Sequence, residues 1–293
     1  MLVVAVVPAL LLTGCGAGEG AADEPRTTSA SAPDPGQLYE FDGMVLDDGD
    51  GPTLCVGGVE DSLPPGCSGL PLAGWRWEAV EGEERQLGAA WGDYHVVGTF
   101  DGETFTVREV APSRPVGGRE RDFSTPCPEP DGGWVAPDPG RAADEDFTAG
   151  ASTAQARPDY VALWVDYAGD YTPDELDQRL TDGEPVLQIM NVVVTEDVPG
   201  AEAAIREVWG GPLCVTQREG HTATELAAIR EEAERVVQGE LGLQYLWSSG
   251  GETGQAAEMG VVVDPGGAAQ AALDERYGPG MVKLFPALTP VTE

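Results

Sequence analysis

Five cysteines, two histidines and a large excess of carboxylates are the groups in this 293-residue chain that could do chemistry. A cysteine can act as a nucleophile, ligate a metal, accept a lipid or pair in a disulfide, and its spacing and surroundings decide among these roles. No C-x-x-C occurs, and with only His95 and His221 available no metal site is expected. His221 immediately precedes Thr222, the expected N-cap of a helix, and reads as a helix-entry residue. His95 lies in an alternating strand on the face opposite Tyr94 and Val96, where a polar side chain is ordinary. The nucleophile-elbow, P-loop and H-E-x-x-H signatures are absent, as is a dinucleotide fingerprint in strand-to-helix context. Ser248 and Ser249 have neither an elbow pattern nor a nearby base. No catalytic set assembles itself, and no cofactor is implied.

The run Asp47-Asp48-Gly49-Asp50-Gly51 offers oxygen ligands suited to calcium, but no Glu closes it at EF-hand spacing, and it reads as a polar turn between strands. Trp75 and Trp77 flank Arg76 and would share one face of a strand. There they form either a stacking platform for sugar or peptide or part of the core of a small barrel.

Cys15 stands apart from the other cysteines. Residues 1–14, MLVVAVVPALLLTG, are uncharged and almost wholly apolar, too short to span a bilayer, and of signal-peptide length. They end in Leu12-Thr13-Gly14-Cys15, which resembles the lipobox of bacterial lipoproteins, where a signal peptidase cuts before a cysteine carrying a diacylglycerol. No Lys or Arg precedes the apolar run, as such signals usually require, and a translation start further upstream would supply one. Residues 15–36 contain only small residues, Ser, Thr, Pro and a few charges. They cannot bury enough apolar surface to order themselves and read as a tether with a coil dimension of roughly 25 Å. The expectation is a protein held through the lipid on Cys15 to the outer face of the cytoplasmic membrane.

That leaves Cys55, Cys67, Cys127 and Cys214, an even number in an exported chain, for which three pairings exist. Cys55 with Cys67 is the simplest pair, because they flank the compact loop GGVEDSLPPG, and Cys127 would then join Cys214. The net charge of −35 is spread along the chain rather than gathered in a tail. Such a surface repels phosphates and anionic lipid, so nucleic acid is excluded as a partner.

The elements that would position these residues fall into two regions. Residues 37–115 read as short strands, the clearest being a hairpin in which Asp101-Gly102 joins Tyr94/Val96/Gly98/Phe100 to Phe105/Val107/Val110. Several such strands suggest an all-β domain, a small barrel of the oligonucleotide/oligosaccharide-binding (OB) type or a related β-roll. Residues 116–157, rich in Pro, Gly and charge, read as a connecting segment. Residues 158–293 alternate strands and helices. Ala201, Ala204, Ile205 and Val208 line one helical face. Thr222 and Glu225 form a capping box ahead of a stripe from Leu226 to Val237, and a third helix runs from Asp264-Pro265 to Gly278. From residue 212 the order β-α-β-β-α-β is the split pattern of ferredoxin-like sandwiches, with helices on one face of an antiparallel sheet. The expected class is α+β, and no repeat relates the two regions.

The segment GPTLCVGGVEDSLPPGCSGLPLAGWRW, with WGDYHVVGTFDGETFTV, PCPEPDGGW and RYGPGMVKLFPALTPV, resembles uncharacterised exported lipoproteins of actinobacteria. The resemblance implies a two-part extracellular region with the Cys55–Cys67 loop as a fixed element, and it carries no activity. The function expected is a non-enzymatic binding or scaffolding role toward an envelope protein or cell-wall partner. The alternatives are a carboxylate-dependent cell-wall hydrolase and a divalent-cation-responsive surface protein.

Overall fold

A computed structural model describes residues 36–114, 122–169, 171–251 and 254–291. The signal segment, Cys15 and most of the tether lie outside the described residues. The first region builds β1 (Leu38–Asp47), β2 (Thr53–Leu54), β3 (Leu70–Ala73), β4 (Glu84–Gln86), β5 (Ala89–Phe100) and β6 (Phe105–Pro112). β1 and β5 pair antiparallel along their length, from Leu38 opposite Thr99 to Asp47 opposite Ala90. Their alternation turns Tyr39, Phe41, Val45, Tyr94, Val96 and Phe100 into one core. β1 also pairs with β2, β2 with β3, β3 runs parallel to β6, and β6 returns antiparallel to β5. The pairings therefore run round five strands and come back to β1. β4 extends the sheet beside β5, and the last strand of the chain, β13 (Thr289–Pro290), adds to β1, giving seven strands.

The expected Asp101-Gly102 hairpin is present, with the Asp101 carboxylate accepting from the backbone N–H groups of Glu103 and Thr104. Beyond it Phe100 pairs with Phe105, and both rings are almost completely buried, each worth about 1.5–3 kcal/mol. A bulge at Val97/Gly98 lets the strands close tightly. A Cβ at Gly98 would lie 2.2 Å from the Thr106 carbonyl oxygen.

The second region contains α1 (Asp144–Gln155), β7 (Tyr160–Tyr167), α2 (Pro173–Thr181), β8 (Gln188–Val194), α3 (Val198–Arg206) and β9 (Leu213–Gln217). It continues with α4 (Ala223–Arg235), β10 (Tyr245–Ser249), β11 (Ala257–Val261), α5 (Ala268–Tyr277) and β12 (Val282–Pro286). The three sequence-derived helices are all present. The Thr222/Glu225 capping box opens α4, which buries Leu226 and Ala233, and the π turn that continues it buries Val236 and Val237. Asp264 opens α5 by accepting from the N–H groups of Ala269 and Gln270. An element not expected is α1, which lies within the Pro/Gly-rich segment and buries Ala154 against Met190, Ile205 and Trp209.

The strands do not form the single antiparallel sheet that the β-α-β-β-α-β order suggests. There are two mixed three-stranded sheets, β7-β8-β9 and β10-β11-β12. β9 pairs with β8, while β12 lies directly against β11. The reason is visible in β8, where Ile189 to Val194 are all buried, so this strand needs partners on both edges and cover on both faces. Each sheet follows the same path: a helix (α1 or α4), an antiparallel strand pair, a crossover helix (α3 or α5) and a parallel third strand. The second region is thus two copies of one topology, a repeat that composition does not display.

Both expected disulfides form. Cys55–Cys67 packs with Leu46, Ala89 and Trp91 on the outside of the first sheet. Cys127–Cys214 fixes the connecting segment across β7-β8-β9. Along that path the Thr125 N–H and hydroxyl donate to Asp166, and the Trp164 indole donates to the Phe123 carbonyl. The two regions share a core, since Val262, Val263 and Leu288 pack among the β1 and β5 side chains.

Candidate functional site

A cleft of about 460 Å³ opens on the first sheet. Its floor is Thr53 of β2 with Pro71, Leu72 and Ala73 of β3, and its ends are the β1–β2 turn (Asp48, Asp50, Gly51, Pro52) and Thr104 of the β5–β6 turn. The volume suits a small molecule or one unit of a polymer. Local chemistry builds the turn. Asp47 Oδ1 accepts from the N–H groups of Gly49 and Gly51 at 3.0 and 3.3 Å, and Oδ2 accepts from the Trp77 indole at 3.2 Å. Gly49 and Gly51 supply the positive φ the turn requires. With the Asp47 carboxylate engaged in holding the turn, Asp48 and Asp50 stand exposed on the rim. Gly69, which also lines the cleft, lets the backbone entering β3 pass close to β2, because a Cβ there would lie 1.9 Å from the Leu54 carbonyl oxygen. An uncharged floor of mixed polarity, edged by two carboxylates, accepts neutral polar or cationic groups and repels anions.

Trp75 and Trp77 stand beside this turn but do not share a strand face. β3 ends at Ala73, Gly74 takes a positive φ, and Trp77 begins a short 3₁₀ turn. Trp75 is buried, meeting Trp77 edge-on at 5.4 Å and Tyr94 at 5.0 Å. Trp77 is half-buried, with the Arg85 guanidinium 5.7 Å from its ring centre. Burial, reinforced by the charges of Glu83 and Asp93 against that of Arg85, pushes the Tyr94 hydroxyl up in pKa. The trio thus supports the cleft turn from behind through the Trp77–Asp47 bond, with only Trp77 partly at the surface.

His95 belongs to an ionic cluster. Its Nδ1 lies 3.0 Å from Asp42 Oδ2 and 2.8 Å from Arg114 Nη2, and Arg114 also donates to Glu40 and, through its backbone, to Asp42. Burial opposes the charge of Asp42, but the Arg114 backbone and guanidinium together with His95 hold its carboxyl below the ordinary value. The cluster ties the end of β6 to β1, and no hydroxyl or thiol nucleophile joins its described bonds. His221 lies at the entry of α4, 3.9 Å from Glu225. Ser248 donates to Glu234. Among the described residues no group of three or more His, Cys, Asp or Glu side chains could hold a metal, and no helix is long and apolar enough to cross a membrane. The cleft was not legible in the sequence because β2, β3 and the β5–β6 turn are brought together by long-range pairing. Its only local signal was the Asp/Gly turn.

No model of a protein family matches the chain, and neither a curated protein nor a solved structure does.

Proposed function

We propose that this is a lipid-anchored, non-enzymatic binding protein of the cell envelope. In this reading the lipid on Cys15 holds it to the outer face of the cytoplasmic membrane, and the cleft between the β1–β2 turn, β3 and the β5–β6 turn takes up neutral or cationic cell-wall material. The cleft carries the reading, since it sets an uncharged floor beside exposed carboxylates on a rim. We read the five-strand circuit of pairings as a barrel of the OB type, a fold that itself prescribes no ligand. Two disulfides fit an oxidising exterior, and the charge of −35 argues against anionic polymers as the bound species.

Two experiments test the two halves of the proposal. Cys15→Ala abolishes incorporation of labelled lipid in cells; undiminished labelling would remove the anchor. The soluble chain co-sediments with purified cell wall, and Pro71→Arg, whose long cationic side chain fills the cleft floor and opposes the charge of the rim, weakens that retention. Equal retention of the variant would show that the cleft is not the binding site.

A further inference from the structure

The internal repeat provides a control for what the scaffold needs. In the second copy β10 and β11 are joined by residues 250–256, with Ser249 already opposite Glu258. In the first copy the equivalent strands β7 and β8 are in register up to Tyr167 opposite Gln188, yet the chain between them, residues 168–187, makes an excursion that contains α2. Among the described residues of the shorter connection there is no helix, so the same topology closes without an equivalent of α2.

α2 is carefully made and yet contributes no fully buried side chain. Thr172 and Glu175 form a reciprocal capping box, Pro173 opens the first turn, Gln178 donates to Asp182, and Arg179 pairs with Glu184 at 2.7 Å. None of its residues is buried. A helix this short is marginal in water without a packed face, and here the apolar face is only partly covered. Leu176 and Leu180 lie one turn apart, the first mostly covered but still partly at the surface and the second 45% exposed. Asp174, Glu175, Asp177, Asp182 and Glu184 surround them, against Arg179 as the basic residue of the helix.

We propose that α2 is a docking element that lays Leu176 and Leu180 into an apolar groove of a partner protein whose rim is basic. Leucines at i and i+4 are the anchors by which short helices are read in grooves, and the carboxylates set the sign of the rim. An anionic bilayer would repel the same face, and a saccharide offers no groove for it. This docking surface is separate from the cleft and does not depend on the cleft reading.

The test is site-specific photo-crosslinking in the full chain, made in its own cells. A photoreactive residue in place of Leu180 should give one protein adduct, and the same residue in place of exposed Val135 should not. Leu176→Asp should lower the adduct yield about tenfold or more, as should an excess of a synthetic peptide covering residues 171–184, and added salt should weaken it. No adduct, an adduct to lipid alone, or an adduct indifferent to Leu176→Asp and to the peptide would overturn the proposal. The thermal melt is the second readout. Leu176→Asp should leave the melting temperature nearly unchanged, and a fall as large as that of Ile189→Ala in the buried β8 would make α2 part of the scaffold and overturn the proposal equally.

Discussion

Removing each disulfide in turn puts a number on how the connecting segment is held. Cys55–Cys67 closes a sequence separation of 12 residues and Cys127–Cys214 one of 87. In the chain-entropy relation these correspond to about 2.8 and about 4.6 kcal/mol. The paired variants Cys55→Ala/Cys67→Ala and Cys127→Ala/Cys214→Ala should therefore differ by nearly 2 kcal/mol, the longer loop costing more. Native contacts modulate the difference. Once Cys127 is released, the segment keeps the Thr125–Asp166 and Trp164–Phe123 hydrogen bonds and the Asp138–Gly210 backbone bond. These hold the path across β7-β8-β9 so that the effect lies mainly in the unfolded chain. Urea titration of both variants and the parent, followed by tryptophan fluorescence, measures the ordering through midpoints and slopes. A larger loss for the short loop, or equal losses, would refute the assignment of Cys127–Cys214 as the main covalent restraint.

Three further outcomes follow from particular residues. Leu87 begins a two-residue hairpin turn at φ 51° and is 85% exposed, so Leu87→Asn, which suits that backbone better, should raise stability by up to about 1 kcal/mol in a denaturant melt. Gly98→Ala should cost about 1–3 kcal/mol, because its methyl would press on the Thr106 carbonyl, and a neutral result would mean the bulge is wrongly placed. The carboxyl of Asp42 titrates below its ordinary value of 3.8, so the stability it contributes is full above that pH and is lost as pH falls through the lower folded-state value. Asp42→Asn should flatten this acid limb of a stability-versus-pH curve, and an unchanged limb would show that the Arg114 cluster contributes nothing.

Local chemistry was legible in the sequence, and long-range pairing was not. The Asp101-Gly102 hairpin, the Thr222/Glu225 box and the entry to α5 at Asp264 rest on residues within a few positions of one another, and each is present. α1 escaped because its residues, such as Gly150, Ser152 and Ala154, are small and carry little amphipathic contrast. The pairing of β9 with β8 rather than with β10–β12 depends on β8 being buried on both faces, which an apolar run does not distinguish from a strand covered on one. Trp75 and Trp77 were separated by the positive φ of Gly74, which ends β3 before either ring. The cleft depends on β3 meeting β6 in parallel, a contact between positions more than thirty residues apart in sequence. The short loop between Cys55 and Cys67 made that pair the simplest of the alternatives, and the second disulfide then followed by difference.

We propose above that the cleft receives neutral or cationic cell-wall material. Backbone NMR of the isotope-labelled soluble chain, titrated with soluble uncharged or amine-bearing cell-wall fragments, tests it most directly. Saturable shifts confined to Asp48–Thr53, Gly69–Ala73 and Thr104 are expected, with no shifts from anionic fragments of the same size. Shifts elsewhere with these residues silent, or equal shifts from anionic fragments, would contradict it.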